Sequence, residues 1–189
     1  EEKLKRRGIA GMVFVFKIAG AEAEAGTSLK KVFDSASQAN NNIRTLGVAL
    51  SPCILPEAGK PTFEINNDEI EIGMGIHGEP GIKREKIKKA NILVDDMVKR
   101  ILDDFQLEEK SKVSIMINSL GATPLEELYI VSKRLNEDLL NLNIEIIKSY
   151  VGRYATSMEM AGMSITIFKL NGDLVKNLLS PSECPFWNN

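Results

Sequence analysis

The sequence holds one histidine, His77, inside the stretch Gly73-Met74-Gly75-Ile76-His77-Gly78-Glu79-Pro80-Gly81. A neutral imidazole is a nucleophile or a base near pH 7. Other chemistries lack their parts. A metal site needs partners, yet there is no second histidine, and Cys53 and Cys184 lie far apart and form no CxxC pair. No GxSxG stretch anchors a Ser-His-Asp triad. Two readings stay open on the residues alone: a side chain that meets a small molecule, or a structural histidine that hydrogen-bonds a loop. A nucleophilic ring nitrogen must be unprotonated, so the other nitrogen should donate to an acceptor. Glu71 and Glu79 are the nearby carboxylates in sequence, Glu79 being one candidate, and a loop carbonyl would serve as well.

The element that positions His77 reads as a strand. Glu69-Ile70-Glu71-Ile72-Gly73-Met74-Gly75-Ile76 alternates strictly, the mark of a half-buried strand. Ile70, Ile72, Met74 and Ile76 then point one way, and Glu71, Gly73, Gly75 and His77 the other. Glycine weakens a strand and usually marks a close approach by a ligand or another backbone. Gly78, Pro80 and Gly81 end the strand in a tight turn. His77 is therefore expected at the C-terminal end of its strand, at least partly accessible, with Gly75 on its side of the sheet.

Around it the chain reads as alternating helices and strands. Gly8 to Gly20 is largely apolar, but Lys17 interrupts it and it is too short to span a bilayer, so it reads as a buried helix stopped at Gly26. Small residues such as Gly8, Gly11 and Gly20 let another element pack closely. Ser28 caps a second helix with Leu29, Val32, Phe33, Ala36 and Ile43 on its inner face. Residues 45–51 form a strand stopped by Pro52, residues 56–61 a loop, and residues 62–65 a short strand. Lys83 to Lys89 reads as a solvated basic surface. Asn91 caps a helix burying Val94, Met97, Val98, Ile101 and Phe105. Val113 to Ile117 is a strand that leads through a glycine loop to a helix opened by a Thr123/Glu126 capping box, with Pro124 at its first position. Such a loop either binds an anion or simply connects strand to helix, and no P-loop lysine is present. That helix buries Leu128, Val131, Leu135 and Leu139. Residues 144–149 and 164–170 are further strands, Asn171-Gly172 opens a short last helix, and a tail carries the only tryptophan. The expected architecture is α/β: a single domain, residues 1–189, with a mixed, about six-stranded sheet flanked by helices.

Composition narrows the classes. With 189 residues, 43% of them hydrophobic, the chain can bury a proper core. A net charge of −2 argues against a nucleic-acid or anionic-membrane surface. Two cysteines make no disulfide framework, so a reducing cytoplasm is expected. The first residues are Glu1-Glu2, without methionine, and a piece of a longer protein is expected.

Gly75-Ile76-His77-Gly78-Glu79-Pro80-Gly81 resembles the GIHGEPG motif of the substrate-binding K subunit of dihydroxyacetone kinases. Arg6 to Gly11, Gly47 to Cys53, Gly59-Lys60-Pro61, Leu120 to Tyr129 and Thr156 to Gly162 match the same subunit. The blocks are collinear and cover nearly the whole chain. The resemblance is to the second, C-terminal domain of that subunit. The first domain, with a GSGHEP and a KNYTGD segment whose His and Asp serve as acid/base groups, has no counterpart in these residues.

The resemblance implies that His77 binds dihydroxyacetone covalently: a ring nitrogen adds to the ketone carbon and gives a hemiaminal, which holds the substrate for phosphoryl transfer to its hydroxyl. It implies a kinase-subunit fragment, inactive alone, with His77 as both catalytic and substrate-binding residue. No cofactor or metal is expected on this chain. ADP or ATP with Mg belongs on a nucleotide-binding partner subunit or domain, in bacterial forms one recharged by a phosphotransferase-system carrier. A homodimer is also implied, with neither nucleic acid nor membrane as partner. The alternative is a non-catalytic dihydroxyacetone-sensing paralogue that acts as a transcriptional coactivator.

Overall fold

The computed structural model describes residues 6–57, 59–77, 79–185 and 187–188. In chain order these form α1 (Gly11–Glu24), α2 (Leu29–Asn41), β1 (Ile43–Ala49), β2 (Glu69–Ile72), β3 (Lys83–Lys86), α3 (Ala90–Asp104), β4 (Lys112–Ser119), α4 (Leu125–Asn141), β5 (Glu145–Gly152), β6 (Gly162–Leu170) and α5 (Gly172–Leu179). A small hairpin, β7 (Glu183–Cys184) with β8 (Trp187–Asn188), closes the chain.

The sheet is six-stranded and mixed, in the order β3-β2-β1-β6-β4-β5. Only β4 and β5, joined through α4, run parallel; every other pair in this sheet is antiparallel. The period-2 pattern of the central strands feeds two cores. Val113, Ile115 and Ile117 of β4 and Ile165 and Ile167 of β6 pack beneath α3 and α4. Met116 and Phe168, on the opposite face, pack beneath α1 and α5. The expected mixed α/β domain is therefore what forms.

The helices follow their apolar spacing, and α4 buries Leu128, Val131, Leu135 and Leu139. Gly11 lets β1 close on α1: a Cβ there would stand 2.7 Å from Thr45 Oγ1. Gly26, at φ 68°, ends α1, with Thr27 N donating to Glu22 O. Lys17 is buried because its ammonium caps the end of α5, donating to Asn177 O at 3.0 Å and Ser180 O at 2.7 Å.

Several expectations fail. Residues 62–65 form no strand; Thr62 turns back onto Cys53 O, and an isolated bridge joins Ile54 to Pro61. The sixth strand is instead Lys83–Lys86, inside the basic run, where backbone pairing with β2 suffices and charged side chains guard an edge. Asn91 does not cap α3, whose N-cap is Lys89. The Thr123/Glu126 capping box is not made, and Pro124 is the N-cap rather than the first helical residue. The Thr123 hydroxyl instead donates to Gly162 O and accepts from Gly162 N, both at 2.8 Å. On α2 the buried residues are Ser35 and Ala39, while Leu29 and Phe33 are exposed and Ile43 belongs to β1. Phe105 lies past the end of α3, beneath the Arg44 guanidinium.

Candidate functional site

β2 ends at Ile72, five residues before His77. Gly73, at φ 84°, turns the chain out of the strand, and its N–H donates to Gly47 O at 2.7 Å. The turn resets the alternation. Ile70 and Ile72 lie in the core beneath α3 and α4, whereas Met74 enters the core beneath α1 and α5. The expected strand through Ile76 is thus cut short, and His77 sits in a turn beyond it rather than at the strand end.

The loop between β2 and β3 is closed at its base. Ile82 N donates to Ile72 O at 2.7 Å, and Gly81 N donates to Glu71 Oε1 at 2.9 Å. Glu71 is buried, and its other oxygen takes Arg84 Nε at 2.9 Å and Nη2 at 2.7 Å. That carboxylate is spent on the base of the loop and does not reach the histidine. Gly81 is required there, since a Cβ would lie 2.5 Å from Ile72 O.

At the tip the His77 side chain is 79% exposed, which meets the expected accessibility. Glu79 grips it at two points: Oε2 accepts the His77 backbone N–H at 2.9 Å, and Oε1 lies 3.3 Å from Nδ1. The sequence offered Glu79 as one candidate for this contact. The carboxylate occupies the space a Cβ on Gly75 would fill, and Arg7 Cδ borders the same space at 3.1 Å. Gly75 therefore makes room for the loop's own Glu79. Burial opposes ionisation of Glu79, but hydrogen bonds from its own backbone N–H and from His77 outweigh it and hold the carboxyl below the usual carboxylate range. Arg7, on the segment leading into α1, was not singled out by residue chemistry; only its place in a family-like block pointed to it.

A groove of about 930 Å³ is lined by Arg7, Gly73, Pro80 and Ile82, by β1 residues 43–47 and by residues of α1 and α3; His77 does not line it. Cys53 is buried, Cys184 is exposed, and both are free thiols. Among the described residues no group of three or more His, Cys, Asp or Glu could hold a metal ion, and no helix is long and apolar enough to cross a membrane. The glycine loop after β4 is structural: Gly121, at φ 148°, lies against the Met158 carbonyl where a Cβ has no room.

Residues 1–186 match the Dak1 domain. The chain belongs to the Dak1 family. Its relatives include a Listeria innocua protein named PTS-dependent dihydroxyacetone kinase 1, dihydroxyacetone-binding subunit DhaK, 48% identical over 183 residues. That alignment covers 96% of this chain and 56% of the relative, so this Dak1 chain spans little more than half of the relative's length. Among solved structures, the dihydroxyacetone kinase operon co-activator Dha-DhaQ superposes with a TM-score of 0.85 at 30% identity, covering 92% of this chain and 54% of that one. The dihydroxyacetone kinase from C. freundii, solved with AMP-PNP and Mg2+, gives a TM-score of 0.84 at 35% identity, covering 95% and 33%.

Proposed function

We propose that this Dak1 chain is the ketose-binding part of a dihydroxyacetone kinase subunit, and that His77 captures dihydroxyacetone as a covalent hemiaminal. The observation that carries the reading is an exposed imidazole at the tip of a loop pinned at its base, in a chain 48% identical to a dihydroxyacetone-binding subunit. A secondary ring nitrogen can add to a carbonyl but cannot lose water to a stable neutral imine. Capture therefore selects ketoses over polyols and fixes the hydroxyl for phosphoryl transfer.

The chain fits the second, C-terminal domain of such a subunit. The remaining acid/base groups then come from a first domain, and ADP or ATP with Mg from a nucleotide-binding partner subunit or domain. The assembly is a cytoplasmic homodimer in this reading. This chain alone, supplied with that partner and a phosphoryl donor, is expected to turn dihydroxyacetone over at least ~10² to 10⁴ times more slowly than a complete subunit, the usual cost of losing general acid–base assistance.

A second reading, a dihydroxyacetone-sensing coactivator without catalysis, is favoured by the likeness to Dha-DhaQ, whose TM-score of 0.85 is level with that of the kinase. Both readings require the same capture. The test is carbon-13 NMR of dihydroxyacetone labelled at C2. The expected result is a ketone signal replaced by a tetrahedral carbon on the protein, lost in His77→Ala. A bound signal that stays a ketone, or an adduct that survives His77→Ala, overturns the covalent role. Phosphorylation by the complete subunit with its kinase partner then separates enzyme from sensor.

A further inference from the structure

We propose that Glu79 is the positioning residue of this site: it holds the proton on His77 Nδ1, leaves Nε2 as the attacking atom, and balances the charge the ring gains. The proposal rests on the reading of His77 as the covalent nucleophile. Three features carry it. One carboxylate grips both the backbone N–H of His77, at 2.9 Å, and its Nδ1, at 3.3 Å, so ring and backbone are held together. The grip leaves the other face of the side chain, 79% exposed, to solvent. The carboxylate also sits in a slot that exists only because residue 75 lacks a Cβ.

The chemistry follows from that placement. An ionised carboxylate accepts but cannot donate, so the tautomer that satisfies it carries its proton on Nδ1. The lone pair then lies on Nε2. When it forms the bond to the carbonyl carbon, the π pair moves onto the carbonyl oxygen, which takes a proton from water. The ring, still protonated at Nδ1, holds one positive charge beside the Glu79 carboxylate. The hydroxide left behind is neutralised by the solvent buffer, so capture takes up one proton overall, and the charged ring of the hemiaminal stays paired with the carboxylate through its Nδ1–H. Glu79 thus favours the charged adduct without touching the substrate. Arg7, from the segment before α1, brings its Cδ to the border of the slot.

The test starts without ligand, by nitrogen-15 NMR of the imidazole in this chain. The expected spectrum shows the Nδ1–H tautomer. Glu79→Gln and Gly75→Ala, which remove or displace the carboxylate, should move it toward the mixture of free histidine. A dominant Nε2–H tautomer, or variants identical to the unaltered chain, overturns the proposal. With labelled dihydroxyacetone, the adduct fraction at a fixed subsaturating concentration should fall roughly tenfold in Glu79→Gln, the scale of one nearby opposite charge. An equal fraction in both overturns the charge balance. The expected tautomer with no adduct in the unaltered chain supports the Nδ1 assignment and sinks instead the reading of His77 as nucleophile.

Discussion

Two glycine-bearing loops leave the sheet of this molecule, and they use their polar side chains in opposite directions. The end of β4 and the loop after it turn them inward. Asn118, fully buried, donates to Ala155 O at 2.8 Å and accepts from Tyr154 N at 2.7 Å and Ala155 N at 2.9 Å. Thr123 bridges both backbone groups of Gly162, and Gly121 presses on the Met158 carbonyl. Asn118 and Thr123 are thus spent chiefly on backbone. The loop after β2 secures only its base inward, through Glu71 and the Ile72–Ile82 bond, and spends its second carboxylate on an outward histidine. Glycine content alone does not separate a structural loop from a functional one. The partner of each polar side chain does.

Substitutions sharpen the contrast. His77→Ala is expected to abolish covalent capture of dihydroxyacetone, read by carbon-13 NMR. Unfolding free energy should stay within about 0.5 kcal/mol of the unaltered chain, as for other exposed positions. A large loss of stability would mean that the tip is structural after all.

Asn118→Ala has the reverse expectation. It strips two buried backbone groups and a half-buried one of their partner, so stability should fall by roughly 3 kcal/mol in denaturant melts, at the upper end of what unmade buried hydrogen bonds cost. An unchanged midpoint would deny the inward loop its role.

Matched glycine substitutions come next. Gly121→Ala places a Cβ against fixed backbone at a positive φ and should cost roughly 2 kcal/mol. Gly75→Ala meets the end of a flexible Glu79 side chain, which can swing out, so it should cost less than about 1 kcal/mol while changing the histidine tautomer. Equal costs at the two positions would break the comparison.

The smallest effect is with acid. Glu79 has a folded pKa below its unfolded value, so its contribution is full above the unfolded pKa and is lost as pH falls through the folded one. Below the ordinary carboxylate range, amide exchange at His77 should speed up relative to Gly162, whose N–H is held by the neutral Thr123 hydroxyl. Parallel acceleration of both amides would mean that the carboxylate is not what holds the tip.

Much of this was written in local spacing. The 3.6-residue period of Leu128, Val131, Leu135 and Leu139 identifies α4, because burial on one face needs only a regular backbone and the right period, and the polar–apolar alternation from Ser164 to Ile167 identifies β6. The lone histidine, its glycine neighbours and Glu79 are likewise visible along the chain, as is the GIHGEPG resemblance that the Dak1 match bears out. What the tertiary structure decided is where competing local options went. Thr123 could cap its own helix, but Gly162, 39 residues away, offered two backbone groups deep in the core. Residues 62–65 have strand-like composition, yet the place beside β2 went to the charged Lys83–Lys86, which the tight loop returns to it. Glu71 and Glu79 are both nearby carboxylates along the chain, Glu79 being the candidate partner. Arg84 and the Gly81 N–H claimed the first, and the slot at Gly75 received the second. Hydrophobic period is a property of neighbours in sequence. Which partner a polar group finds depends on what the fold brings within 3 Å, and no spacing along the chain contains that.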